Sequence, residues 1–263
     1  MKFRDFAERY RTVASAPLVE RSLRLTTGLI LFAYAACHFL NHAFGIRSVA
    51  AMQTASHVLL DPWQTYVGLI ALYGALLIHG ALGLTALNRR RHLRIPRTEA
   101  WQLVTGLAIP LLLIPHAAGI RLESSLGNAE IGYARLLYFF WVVSPEFALP
   151  RQTLLLVVLW VHGCIGLRAW LRTKPWYGRY MPVLMSLAVL VPVLAILGFA
   201  NAGFDIREAA QRDPAYAARL VVQHATAHEA VLSSSSISWI VSGLLIFYVA
   251  LVGGILGLRK IRF

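Results

Sequence analysis

The chain has 263 residues, of which 58% are hydrophobic and 14% charged, with a mean hydropathy of +0.61; a soluble domain carries roughly 25% charged residues, so water is not its principal solvent. The net charge of +13 does not call for nucleic acid, because the 25 Lys and Arg residues cluster at the ends of apolar runs. Length alone would allow two soluble domains, but repeated apolar runs of about 20 residues, enough to cross roughly 30 Å of hydrocarbon, point to one membrane domain over residues 1–263.

Residues 1–21 form a charged N-terminal segment with Arg4, Asp5, Glu8, Arg9 and Arg11 and no apolar core, so a cleaved signal peptide is not expected. Six spans follow, an all-α bundle over residues 22–258: Ser22 to Ala43, Gln64 to Asn88, Thr98 to Arg121, Gln152 to Thr173, Tyr180 to Gly203 and Ile237 to Leu258. Pro110, Pro115, Pro182 and Pro192 suggest kinks in the third and fifth, which neighbouring helices and water make tolerable in a bilayer. Asp213 followed by Pro214 predicts an N-cap and first helical residue, hence a surface helix near 214–232, then a linker at Ser233 to Ser236. Residues 259–263 are a basic exit.

An even number of spans puts both termini on one side. The segment up to Arg24, the loops Arg89 to Arg97 and Arg168 to Arg179, and the C-terminus hold 18 of the 25 Lys and Arg. The positive-inside rule therefore predicts that both termini are cytoplasmic, in a bacterial inner membrane, with the surface helix periplasmic.

A short repeat is visible. Ile78-His79-Gly80-Ala81-Leu82-Gly83-Leu84 in the second span matches Val161-His162-Gly163-Cys164-Ile165-Gly166-Leu167 in the fourth. Each is followed by a basic loop and a proline-bearing span ending in Ala-Gly, at Ala118-Gly119 and Ala202-Gly203, which suggests duplication.

Five of the nine histidines, His38, His42, His79, His116 and His162, lie in or at the ends of spans. An ionisable residue within a bilayer is costly and reads as a functional site. At about 1.5 Å of rise per residue, His79 and His162 sit about 14 and 17 Å from the basic face, and His38 and His116 about 24 and 27 Å. His42, at about 30 Å, is as near in depth to His116 as His38 is. Two level pairs on different helices are what two haems, each held by two histidines, require; an iron-ligating imidazole stays neutral. Gly80, Gly83, Gly163 and Gly166 leave flat surface for a porphyrin face, though small residues also serve close helix packing. Cys37 and Cys164 lie in apolar segments and no CxxCH occurs, so any haem is noncovalent. His38 with His42, and His224 with His228, are also spaced i, i+4 as two zinc ligands are, although for His224 and His228 a solvated amphipathic helix accounts for the spacing. His57 and His92 read as ordinary loop residues. A proton-coupled transporter fits less well, because all twelve acidic residues lie in termini, loops or flanking segments. Arg24, Arg121 and Arg168 are placed to pair with haem propionates, or simply mark the interface.

The run Cys37-His38-Phe39-Leu40-Asn41-His42, preceded by Arg24-Leu25-Thr26-Thr27-Gly28, is similar to the first helix of the dihaem cytochrome b anchors of succinate dehydrogenases and fumarate reductases. The six-span layout, the two HGxxGL runs and Ile114-Pro115-His116-Ala117-Ala118-Gly119-Ile120-Arg121 resemble more closely the hexahelical anchors of bacterial class III adenylate cyclases, over nearly the whole chain. The resemblance implies two b haems, ligated by His38 with His116 and by His79 with His162, with His42 a neighbouring or alternative ligand. It further implies electron exchange with quinone, relay of redox state to a cytosolic output such as a cyclase, and a homodimer. Phe263 follows the sixth span closely and no nucleotide-binding acidic pair is present, so this sequence does not itself make cAMP and reads as the sensor portion of a longer polypeptide. A membrane subunit that passes electrons to an iron-sulfur partner is the alternative, and a haem-free transporter or metal-binding receptor the second. For quinone, the aromatic segments Tyr133 to Trp141 and Trp176, Tyr177 and Tyr180 are open, interface anchoring being the competing role.

Overall fold

In the computed structural model, which describes residues 3–90, 95–126, 132–222 and 227–262, every regular element is helical. The helices are α1 (Phe3–Ala43), α2 (Val49–Leu59), α3 (Tyr66–Arg89), α4 (Arg97–Leu126), α5 (Tyr133–Tyr138), α6 (Pro145–Leu171), α7 (Tyr177–Arg212), α8 (Pro214–Val222) and α9 (Ala227–Arg262). Among the described residues six stretches are long and apolar enough to cross a membrane: Leu18–Ile46, Tyr66–Arg89, Arg97–Leu122, Pro145–Leu171, Tyr177–Arg212 and Ser235–Leu258. The chain is a multi-pass membrane protein. Its outward faces are apolar, as lipid requires; on the last span Trp239 is 79% and Ile246 70% exposed.

The helices associate as two similar groups. α1 packs on α3 and α7, while α4 packs on α6 and α9, and α1 meets α6 between them. Phe39 of α1, Trp160 of α6 and Ala195 of α7 form an apolar core, with the Phe32 ring stacked on Trp160 at 5.1 Å. The Trp160 indole N–H donates to the Ala188 carbonyl at 2.8 Å, so its polar atom is satisfied away from water. At the Arg-rich end Glu20 accepts from both Arg24 and Arg89 at 2.7 Å, joining α1 to α3.

The opposite end is more structured than the sequence suggests. Ser48 caps α2 by accepting from the Ala51 N–H at 3.0 Å, and Thr65 caps α3 by accepting from the Gly68 N–H at 3.1 Å. Helix α5 passes into a wider π turn, Phe139–Val143. Met52 of α2, Leu137 of α5, Ala202 and Ile206 of α7 and Leu220 of α8 then close into one apolar cluster. This cap exists because α7 does not stop at Gly203. It continues to Arg212, and Gly203 leaves room for the Trp141 indole.

The expected helix start at Pro214 stands, with Asp213 accepting from the Ala215 N–H at 2.9 Å. The expected linker does not. Ser233 to Ser236 lie inside α9, which runs unbroken from Ala227; serine costs a helix only a fraction of a kcal/mol per residue, and no Gly or Pro interrupts this stretch. Likewise α1 begins at Phe3, within the segment read as preceding the first span. α4 and α7 remain continuous through their prolines.

One contact sets the α1–α7 approach. A Cβ on Gly198 would run into the His42 carbonyl, and one on Gly45 into Gly198. Because backbone meets backbone there, no side chain can yield. Gly198→Val is expected to destabilise the bundle by about 1–3 kcal/mol as overpacking does, read as a lower thermal midpoint in detergent, whereas Gly178→Val, where nothing lies near the added atom, leaves the midpoint unchanged.

Candidate functional site

A cavity of about 1210 Å³ lies within the bundle, larger than the roughly 300–1,000 Å³ of an ordinary small-molecule site. All twelve residues singled out from the sequence line it: His38, His42, His79, His116 and His162, the glycines Gly80, Gly83, Gly163 and Gly166, and Arg24, Arg121 and Arg168. His57 lies outside, on the surface with Asp61 at 2.9 Å. His92 and His224 fall outside the described residues, and of His228 only the helical backbone is described.

The histidines meet in pairs. The rings of His79 on α3 and His162 on α6 have centroids 6.3 Å apart and planes at 84°. The rings of His38 on α1 and His116 on α4 are 6.1 Å apart at 68°. Two imidazoles bound to one metal from opposite sides, with metal–nitrogen bonds of roughly 2 Å, have centroids roughly 6 Å apart. Both pairs have that separation, and they stand at two levels of the same cavity.

The pair nearer the Arg-rich end is held by a repeated device. Thr27 on α1 gives its hydroxyl proton to the Leu23 carbonyl at 2.7 Å, and its oxygen stands 3.2 Å from His79 Nδ1. Thr105 on α4 gives its proton to the Trp101 carbonyl at 2.6 Å, and its oxygen stands 3.2 Å from His162 Nδ1. Each oxygen is therefore an acceptor, which puts the ring hydrogen on Nδ1 and the lone pair on Nε2, the ligating atom of such a tautomer. The Gln102 side-chain amide donates to His162 Nε2 at 3.3 Å, in keeping with that tautomer. Glycine follows each threonine. A Cβ on Gly28 would lie 3.1 Å from His79 Cε1, and one on Gly106 2.9 Å from His162 Cε1, so glycine admits the ring edge against the helix.

The other pair has different surroundings. His38 Nε2 lies 3.2 Å from His42 Nε2. The Nδ1 atoms of His38, His42 and His116 are buried with no hydrogen-bond partner among the described residues. Tyr34 stacks on the His38 ring at 5.8 Å, with Trp63 edge-on to Tyr34. His42 is enclosed by the rings of His38, Tyr133 and Phe199. Asn41, fully buried, donates to the Tyr133 hydroxyl at 2.7 Å. Burial pushes the Tyr133 phenol above its usual range, with the Asn41 bond acting against that shift, so the phenol that accepts from Asn41 keeps its own proton.

The glycines divide. Added Cβ atoms on Gly80 and Gly83 would meet nothing within 4 Å, so α3 presents a bare face to the cavity. Gly163 instead receives the edge of the Phe32 ring, and Gly166 faces the Gln102 amide at 3.4 Å. For Gly163 close packing, not open surface, is what the missing side chain provides. Of the arginines, Arg24 is engaged by Glu20 and Arg121 by the Gln64 side chain at the opposite end. Tyr133 and Phe140 line the cavity, while Trp176, Tyr177 and Tyr180 do not; Trp176 and Tyr180 are exposed and pack on each other at 6.0 Å. The aromatic segment at the Arg-rich end thus has the position of an interface anchor.

Among the described residues no three His, Cys, Asp or Glu side chains converge as ligands for a bare metal ion. Each site offers two imidazoles from different helices, a donor set that would suit an iron porphyrin. The residues present fit that group. Comparison with protein-family models, with curated proteins and with solved structures finds nothing that matches this chain.

The Thr-Gly steps were not singled out in the sequence as part of a site, yet a signal for them exists. Leu25-Thr26-Thr27-Gly28-Leu29 matches Leu103-Val104-Thr105-Gly106-Leu107, and each threonine precedes its helix's own histidine, His38 or His116, by eleven residues. Together with the packing of α1 on α3 and α4 on α6, this shifts the repeat unit. The equivalent units are α1–α3 and α4–α6, each contributing one histidine to each level, and not the second and third spans matched against the fourth and fifth.

Proposed function

We propose that this protein is a two-haem membrane cytochrome that exchanges electrons with quinol and passes its redox state to a cytosolic output. The observation that carries the reading is the pair of imidazole couples, 6.3 and 6.1 Å between centroids, at two levels of one cavity. Haem held there by the two imidazole couples would supply one-electron transfer. Thr27 and Thr105 hold the inner ring nitrogens in the ligating tautomer. Arg24 and Arg168 at one end and Arg121 at the other are the residues that would meet propionates. Away from the Arg-rich end the cavity lining includes Gln53, Ser56, Asp61 and Gln64, hydrogen-bonding groups of the kind a quinol hydroxyl needs.

The Arg-rich end is cytoplasmic in this reading, by the positive-inside rule. The resemblance to hexahelical cyclase anchors supports a signalling role, and α9 offers a physical route. Its Tyr248 hydroxyl, at the cavity wall, donates at 2.8 Å to the carbonyl of Leu107, the residue after the Gly106 that admits His162. From there α9 continues as one helix to Arg262.

The test is spectroscopic. Protein purified in detergent and reduced anaerobically with a quinol analogue is expected to develop the bands of two six-coordinate b haems per chain. A preparation, expressed with haem supplied, that shows no reducible haem bands overturns the reading.

A further inference from the structure

The two histidine pairs differ in one respect that matters for electron transfer. At the level nearer the Arg-rich end each Nδ1 has acceptors, Thr27 Oγ1 with the Arg24 carbonyl for His79 and Thr105 Oγ1 with the Gln102 carbonyl for His162. At the other level no hydroxyl or carbonyl stands against Nδ1 of His38 or His116 among the described residues, and His116 has only the Gln152 side-chain amide as a hydrogen-bonding neighbour. An imidazole that donates from its free nitrogen becomes more basic at the ligating one, which favours the oxidised form of a metal bound there.

We infer that Thr27 and Thr105 are a matched pair of positioning residues that fix the tautomer and orientation of His79 and His162 and lower the potential of that level alone. The inference rests on the two-haem reading and adds to it a means by which the chain sets its two levels apart. Three independent features converge on the threonines. The hydroxyl–imidazole distance is 3.2 Å in both units. Each hydroxyl proton is already committed to its own helix, at 2.7 and 2.6 Å, so the oxygen can only accept. The following glycine is required for the ring to come so near, since an added Cβ at Gly28 or Gly106 would press on Cε1. A threonine there merely for helix packing would need no glycine beside it and no repeated register.

The experiment is a redox titration of the purified full chain, with low-temperature EPR of the oxidised form, on wild type, Thr27→Val, Thr105→Val, the double valine variant and the matching serine variants. Valine keeps the shape and removes the hydroxyl acceptor, leaving only the Arg24 or Gln102 carbonyl; serine keeps both. In the valine variants one of the two components is expected to shift upward in potential, with an altered EPR signature. The ratio of reduced to oxidised form at fixed potential should change on the order of tenfold, about 59 mV for a one-electron couple. The other component stays in place and reports that the bundle is intact, and the serine variants behave as wild type. Two components that titrate unchanged in every valine variant, or that shift equally, overturn this inference and leave the two-haem reading standing. Loss of both components in the valine variants with retention in the serine variants also overturns it, because the hydroxyls would then support the whole bundle and not one level. Wild type without two components overturns the underlying reading.

Discussion

Replacing His162 by alanine is expected to reduce the haem content from about two per chain to about one, with the surviving component spectrally unchanged. Each level lies between one wall from α3 or α1 and one from α6 or α4, and the His79 and His162 rings face each other alone at theirs, with centroids 6.3 Å apart. Removing His162 leaves no ligand in its place: the polar side chains against it are Thr105 and Gln102 of α4, neither a haem ligand of consequence. The other level is about 10 Å away along the bundle and is built from α1 and α4, so it keeps both its histidines. His79→Ala should give the same result, and the double variant should be no worse than either single one, since the two residues act as a unit. Pyridine haemochrome analysis per chain, with spectra before and after dithionite, measures this; a His162→Ala protein that retains two six-coordinate haems sinks the assignment.

The second large effect separates His38 from His42, which depth alone leaves equivalent. The His38 ring is the one paired with His116, at 6.1 Å. His42 is packed among His38, Tyr133 and Phe199, its Nε2 3.2 Å from His38 Nε2, so the two imidazoles share that end of the cavity and the ring contact to His116 is the one His38 makes. His38→Ala is therefore expected to abolish the component farther from the Arg-rich end. His42→Ala should keep it and move only its potential and EPR line, because it removes a polar neighbour and no ligand. The opposite pattern, loss with His42→Ala and retention with His38→Ala, would transfer the ligand role to His42. Haem content and EPR of the two variants decide between them.

Several features were legible before any coordinates. Six spans were, because crossing a bilayer depends on local hydropathy and length, and a helix satisfies its own backbone within the segment. The two levels of histidine were also legible, since depth follows from residue count along a regular helix. The α1 start, the reach of α7 to Arg212 and the merging of Ser233 to Ser236 into α9 were not. Polar flanks read as loops when only hydropathy is consulted, yet nothing in them breaks a helix, and α2, α5 and α8 give the extended α7 something to pack against. The HGxxGL copies stood out because histidine in an apolar run is rare. The Thr-Gly steps are ordinary in composition and acquire meaning only once α1 lies on α3 and α4 on α6.

By itself the sequence determined solvent, element count, the bias of basic charge to one end and the heights at which imidazoles sit. Tertiary structure alone decided which rings come together, that the His38 ring lies 6.1 Å from His116 with His42 against His38, that Gly80 and Gly83 open a surface while Gly163 seats Phe32, and that Thr27 and Thr105 stand 3.2 Å from the inner rings. The physical reason is directional. Height is additive along one helix, whereas facing depends on how each helix is rotated, about 100° per residue, and on how closely glycine lets it approach its neighbour.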